Sequence, residues 1–322
     1  MVASDVGYCQ QASTATSWAR FLGPTYDGVA TDPGIDWGRK PKLLWSISVG
    51  DGYGIGTVAG GKYFHFDAGV AGPGQSAERL RCFDLDSGET VWTQTQTFQY
   101  SDLLGYEDGP RSSPTIAGDV VYTLGVAGKL TSRSTETGKL NWSIDTNTKY
   151  GVVQNFFGVG CSPLVLDDML ITMIGGSPAE DQDVAPMRLD RVTNTGSAVV
   201  AFERATGKEI WRCGKDLASY SSPRPIELDG KTFVLVFARE GLMLIDPSSG
   251  KVQWRFDHRA AILESDNAMM PVVDGDHVLI SECYEVGSVL LQVSANDRHV
   301  VWQDPPRNRR VEALRAHWST PI

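Results

Sequence analysis

The chain lacks any run of roughly 18 consecutive apolar residues, the length a membrane-spanning helix requires. Cations are in short supply: 29 Lys and Arg face 39 Asp and Glu, a formal charge of −10. A nucleic-acid binder carries a basic stripe, so this balance argues against that class. Cysteine is sparse and odd in number, at Cys9, Cys82, Cys161, Cys213 and Cys283, with no CxxC pair. Metal ribbons and dithiol redox motifs are thereby disfavoured, and small buried hydrophobes are expected. Five histidines show no zinc spacing, so no metal is expected. HExxH, GxSxG, a Walker loop and a strand-to-helix GxGxxG are all missing. The Gly-rich GDGYGIG at 50–56 leads into a strand and reads as its approach, not as a phosphate cradle. Residues 1–17 contain no apolar signal core, and no apolar run precedes Cys9 as a lipoprotein signal would require. Helical periodicity is scarce throughout.

Glycine and tryptophan are abundant, at 34 and nine residues. Six tryptophans share one register: Trp45, Trp92, Trp142, Trp211, Trp254 and Trp302, spaced by 47, 50, 69, 43 and 48 residues. Four of them close the same phrase, DSGETVW, ETGKLNW, ATGKEIW and SSGKVQW. Trp302 ends a degenerate copy in which Arg298 replaces the glycine, and Trp45 ends only the short strand KLLW. A second phrase interleaves: SSPTIAGDVVYTL from 112, CSPLVLDDMLITM from 161, SSPRPIELDGKTFVLVF from 221 and AMMPVVDGDHVLIS from 268. Each holds two β-rich runs split by a turn. A third run follows, and the glycine-to-tryptophan run makes a fourth. Four antiparallel strands in about 45–50 residues define a propeller blade. The fold class is therefore all-β, a β-propeller with helix under about a tenth, against a usual share near 30–35%.

WD40 blades end in Trp-Asp, which these do not. Asp-box blades place two residues between glycine and aromatic, where this chain has three. The phrase [TS]-G-x-x-x-W resembles the pyrroloquinoline-quinone-like repeat, over about 42–322. That repeat builds quinoprotein dehydrogenases and the BamB-type outer-membrane assembly factors. The segment WARFLGPTYDGVA at 18–30 resembles the lead-in of uncharacterised, generally exported bacterial members. The resemblance implies a periplasmic or secreted setting. Residues 1–40 are expected to be a lead-in and 41–322 the propeller. Complete blades are expected at about 55–92, 112–142, 161–211, 221–254 and 268–302. The tail AHWSTPI at 316–322 looks like a further inner strand. Five blades plus fragments fall short of the seven or eight usual in the superfamily, so a larger ring is expected. Trp92, Trp142, Trp211, Trp254 and Trp302 are expected to dock blade on blade, not to touch a ligand.

Strand alternation puts the longer loops on one face, the top: 67–79, 93–111, 146–160, 175–196 and 255–267. Long ordered loops in compact domains are disproportionately functional. Residues preceding inner strands lie there near the axis: Tyr106, Arg111, Gln154, Asn155, Tyr220, Ser221, Glu264, Asn267 and His317. Turns between second and third strands add Arg239, Glu240, Glu282 and Tyr284. Such a funnel could hold a small anionic or polyhydroxy ligand, or a protein partner. The bland alternative is a wet channel whose polar walls satisfy one another. A quinoprotein dehydrogenase would need pyrroloquinoline quinone, calcium and an aspartate base. Only Glu264, Asp266, Asn267 and Glu282 could imitate its calcium ligands, and the adjacent cysteines many such enzymes carry are absent. The expectation is a binding propeller without cofactor or catalysis. A quinone- and calcium-dependent dehydrogenase and a BamB-like assembly scaffold are its rivals.

Overall fold

The computed structural model describes residues 17–30, 36–153, 156–260, 262–263, 265–305, 307–308 and 310–322. Five four-stranded antiparallel sheets follow one another along the chain. Blade 1 is β1 (Thr57–Ala59), β2 (Lys62–Gly72), β3 (Gln75–Asp84) and β4 (Thr90–Thr97). Blade 2 is β5 (Thr115–Ala117), β6 (Val120–Leu124), β7 (Lys129–Ser134) and β8 (Leu140–Asp145). Blade 3 is β9 (Leu164–Leu166), β10 (Met169–Met173), β11 (Val199–Glu203) and β12 (Glu209–Cys213). Blade 4 is β13 (Arg224–Leu228), β14 (Lys231–Ala238), β15 (Gly241–Asp246) and β16 (Lys251–Asp257). Blade 5 is β17 (Val272–Asp274), β18 (His277–Glu282), β19 (Gly287–Val293) and β20 (Arg298–Gln303). Among the described residues, helix is confined to α1 (Thr146–Tyr150) and two 3-10 turns. The all-β propeller expectation holds.

The middle strands of blades 2, 3 and 4 are apolar on both faces because each of these blades is sandwiched between two others. In β14, Val234 and Val236 join the core shared by blades 2, 3 and 4, while Leu235 and Phe237 join the core shared with blade 5. β6 divides the same way: Tyr122 and Leu124 face blade 3, and Val121 faces blade 1. A period of two thus serves two interfaces at once. Outer strands alternate instead between half-buried and exposed positions, as β8 does.

The repeated phrase is the joint between blades. Each of its tryptophans donates its indole N–H to the next blade's turn between third and fourth strands. Trp92 donates to Thr135 O (3.1 Å), Trp142 to Arg204 O (3.0 Å), Trp211 to Pro247 O (2.8 Å) and Trp254 to Ser294 O (2.9 Å). Trp45 donates to Leu85 O of blade 1 in the same manner (2.8 Å). The phrase's glycine makes room for the ring. A Cβ at Gly88, Gly138, Gly207 or Gly250 would lie 2.5–2.9 Å from Trp45, Trp92, Trp142 or Trp211, respectively. Those glycines also sit at φ between +70° and +73°. The residue before each tryptophan is a bulge: Cys82 pairs Trp92 and Phe83 pairs Thr90, so Val91 is skipped, and all five blades repeat this shift. A bulge re-aims the next side chain, here the indole, toward the neighbouring blade.

Burial of these rings is graded. Trp92 and Trp254 are buried, Trp142 and Trp211 are half-buried, and Trp302 is 38% exposed. In blade 5 the hairpin closes one step tighter, with Ser294 N donating to Asp297 O, so no glycine is needed there. The expected top loop at 67–79 is instead a β2–β3 hairpin that runs on to Gly72 and Gln75. Register places Asp67 opposite Arg79, and a two-pronged ion pair (2.8 and 2.9 Å) locks the extension. Residues 17–30 meet the inner strands directly. Trp18 bridges Val58, Ala19 O accepts from Ile116 N, and Arg224 donates to Tyr26 O.

Candidate functional site

The inner strands open on a common register. Ser113, Ser162, Ser222, Met270 and Thr320 each precede a proline, and Ile55 occupies the equivalent place in blade 1. Where this residue is hydroxylic, its oxygen accepts the backbone N–H of the preceding blade's equivalent. Ile55 N donates to Ser113 Oγ (3.0 Å), Ser113 N to Ser162 Oγ (2.9 Å), Ser162 N to Ser222 Oγ (2.9 Å) and Met270 N to Thr320 Oγ1 (3.0 Å). The tail at 316–322 thus stands beside blade 5 as a sixth inner segment. Each accepting hydroxyl still carries a proton it can donate.

Two residues earlier in the same register come Tyr53, Arg111, Gly160, Tyr220, Ala268 and Trp318. These residues and the hydroxyls line one cavity of about 500 Å³, with Tyr106, Phe157 and Phe21 completing it. Its wall is a chain of touching rings. Phe157 lies 5.5 Å from Tyr106, 5.7 Å from Tyr220 and 5.3 Å from Trp318, and Tyr220 lies 5.3 Å from Trp318. Tyr53, Tyr106 and Trp318 are each more than half exposed, which marks the open rim. Burial pushes the Tyr220 phenol well above its ordinary value, and its oxygen accepts Phe157 N (2.9 Å).

Among the described lining residues Arg111 is the one charged side chain, and three of its five N–H donors are committed. Nη2 pairs with Asp102 (3.0 Å), Nε donates to Phe157 O (3.1 Å) and Nη1 to Gly109 O (3.0 Å). Tyr53 covers its guanidinium at 4.8 Å. Asp102 also accepts from Leu104 N, Tyr106 N and the Tyr100 hydroxyl, so one carboxylate shapes the whole 100–111 loop.

Of the residues singled out from sequence, Tyr106, Arg111 and Tyr220 line the cavity. Arg239, Asn267, Glu282 and Tyr284 do not; they belong to buried networks behind it. Arg239 pairs with Asp266 (3.0 Å) and donates to Leu263 O (2.7 Å). Asn267 clamps the backbone at Ala238 O (2.8 Å) and His258 O (3.0 Å), and its own carbonyl accepts Tyr220 N (3.0 Å). Glu282 accepts from Ser265 Oγ (2.9 Å), Tyr284 N (3.1 Å) and the His317 ring (2.8 Å). Gln154, Asn155 and Glu264 lie outside the described residues. Sequence reasoning missed Tyr53, Phe157, Trp318 and the hydroxyl ladder. The x-Pro register, continued from blade to blade, is the signal that finds Trp318 and the ladder.

A family model described as outer membrane protein assembly factor BamB matches residues 42–190 and 195–320. The chain belongs to this family. It is a propeller of the quinone-like repeat type, as the tryptophan phrase implied. An uncharacterized protein of Rickettsia prowazekii (strain Madrid E) is 24% identical over 215 residues, 64% of this chain and 45% of the relative. The chain therefore spans less than half the length of that curated relative. A europium-containing methanol dehydrogenase superposes with a TM-score of 0.49 at 13% identity, over 81% of this chain and 53% of the enzyme. BamB from Moraxella catarrhalis gives 0.32 at 18% identity, over 79% of this chain and 84% of that one. Among the described residues, no helix is long and apolar enough to cross a membrane.

Proposed function

We propose that this chain is a non-catalytic binding propeller whose axial cavity takes a neutral, ring-bearing polyhydroxy ligand such as a sugar. The observation that carries the reading is the composition of the cavity: aromatic rings on the walls, hydroxyls below, and no carboxylate among the described lining residues. A sugar ring presents an apolar C–H face that stacks on Phe157 or Trp318. Its edge oxygens accept protons from Ser113, Ser162, Ser222 and Thr320. A volume of about 500 Å³ suits one or two such rings. The anionic alternative is weaker, because the Arg111 charge is already met by Asp102 and two more of its N–H groups go to carbonyls. A calcium ion held by carboxylate and amide oxygens does not fit the described lining, which holds neither a carboxylate nor an amide side chain; Asp102 and Glu282 are turned to protein partners.

The test is titration of the full chain with neutral oligosaccharides and with acidic sugars, followed by intrinsic fluorescence and melting temperature. Neutral sugars should stabilise the chain and quench Trp318. Trp318→Ala should abolish both effects with little change in the unliganded melting temperature, since that ring is more than half exposed. Stabilisation by acidic sugars alone, or binding that survives Trp318→Ala, would refute the assignment.

Family membership favours a second reading, a scaffold for outer-membrane protein assembly, with the cell envelope as the setting for either. A photo-crosslinker at Tyr106 that captures an outer-membrane protein precursor, and is not competed by any sugar, would favour the scaffold.

A further inference from the structure

Behind the cavity wall, Glu282, Cys283 and His317 bring one carboxylate oxygen, one thiol sulfur and one ring nitrogen within 4.8 Å of one another. We propose that this trio is a zinc site. The argument begins with charge. Glu282 is wholly buried, and its described partners are a serine hydroxyl, a backbone N–H and the His317 ring. A buried carboxylate needs a cation close by, and a hydroxyl and an amide supply only dipoles. His317 meets that need only while protonated. A divalent ion meets it better, because Glu282 and Cys283 as carboxylate and thiolate carry two negative charges that the ion cancels. The buried centre is then neutral.

The donor set selects the metal. Sulfur, imidazole nitrogen and carboxylate oxygen together are the donors of zinc, whereas calcium and magnesium take oxygen alone. Zinc bond lengths of about 2.0–2.3 Å put tetrahedral ligand atoms roughly 3.3–3.7 Å apart. The Glu282–His317 contact is already 2.8 Å, so a small rotation opens it as the thiol closes in. Three protein ligands leave a fourth position for water.

The ligands also come from the right places. Glu282 ends β18, Cys283 follows in the next turn, and His317 is 34 residues beyond Cys283, in the tail segment. The stretch from 313 onward is also tied to blade 5 by Ser288 Oγ to Leu314 O (2.9 Å), Ala313 N to Asp304 Oδ1 (2.8 Å) and Met270 N to Thr320 Oγ1 (3.0 Å). The ion would add a further tie, one residue before the cavity ring Trp318. His317 and Trp318 are in edge contact at 4.6 Å, so the ion would fix that wall of the cavity.

The experiment is a Co²⁺ titration of the metal-stripped full chain under reducing conditions, read by absorption. One Co²⁺ per chain should give tetrahedral d–d bands with a thiolate-to-cobalt charge-transfer band, and Zn²⁺ should bleach both. Zn²⁺ should also raise the melting temperature. Cys283→Ser should lose the charge-transfer band, and His317→Gln should lose the d–d intensity. Cys283 is only partly buried, so its serine variant keeps the fold available for the measurement. A wild-type titration with no charge-transfer band, a band that survives Cys283→Ser, or a melting temperature indifferent to Zn²⁺ would overturn the site.

Discussion

Replacing Gly138 by alanine probes the joint between blades 1 and 2. The new Cβ would lie 2.6 Å from Gln94 Cγ and 2.7 Å from Trp92 Cε3, at a backbone φ of +70°. Two costs therefore add. A left-handed backbone disfavours any Cβ by about 1–2 kcal/mol. Overpacking against a fixed indole adds about 1–3 kcal/mol. Gly118 in the same blade supplies the control, since its φ is +64° and a Cβ there meets nothing within 4 Å. Gly118→Ala should cost only the backbone share. Urea unfolding of both variants isolates the indole contact as the difference, about 1–3 kcal/mol. Trp92→Ala should itself cost about 3–5 kcal/mol. In the Trp92→Ala background, Gly138→Ala should fall toward the Gly118 value, because the rigid indole is gone and the remaining close contact is the flexible Gln94 side chain. Equal costs for the two glycines in the wild-type background would refute the reasoning. The tryptophan phrase would then be a local turn signal and no blade joint.

Burial holds the His258 imidazole at a pKa of about 4 instead of 6.5, so the unfolded chain binds a proton between those values that the folded chain refuses. Its contribution to stability is complete above about pH 6.5 and is lost as pH falls toward 4, by about 3 kcal/mol in all; His258→Gln should flatten that part of a stability-against-pH curve. Arg239→Met deprives the buried Asp266 of its 3.0 Å partner and should cost about 3–5 kcal/mol in denaturant unfolding. Ser162→Ala removes the acceptor of the buried Ser113 N–H and should cost about 1–3 kcal/mol, visible as faster hydrogen exchange at that amide.

The architecture was legible because its signals are local and repeated. Gly88, Gly138, Gly207 and Gly250 serve backbone conformation and indole clearance at once, so neither requirement can drift from the other. Blade bounds were read short at the outer end, where β4 runs five residues past Trp92 on exposed Thr and Gln that carry no apolar signal. The 67–79 stretch was read as a loop because its glycines mask the Asp67–Arg79 pairing, which only register reveals. The cavity was half legible. Arg111 and Tyr220 announce themselves as charge and aromatic before an inner strand. Tyr53 stands before a Gly-rich strand with no proline, and Phe157 sits in a loop whose path no local pattern dictates. The Glu282, Cys283 and His317 cluster escaped notice because its spacing fits no zinc motif; the fold alone brings the tail to β18.

The sorting of charged and aromatic residues at the top face follows from radius. Strand alternation fixes the height of a loop, and it places Arg239 and Glu282 on the same face as Tyr220. It does not fix distance from the axis. Arg239 and Glu282 leave second strands, which lie one strand spacing, about 5 Å, farther out than the inner strands. At that radius neighbouring blades close over them, and both are fully buried. A charge in such a place persists only when paired, so Arg239 takes Asp266 and Glu282 takes His317. The axis is left to whatever the inner strands carry two residues before the x-Pro position, and there the chain places Tyr53, Arg111, Tyr220 and Trp318. A ligand placed on the axis would therefore meet stacking faces and hydroxyl donors. Charge acts one layer behind, where it fixes the walls.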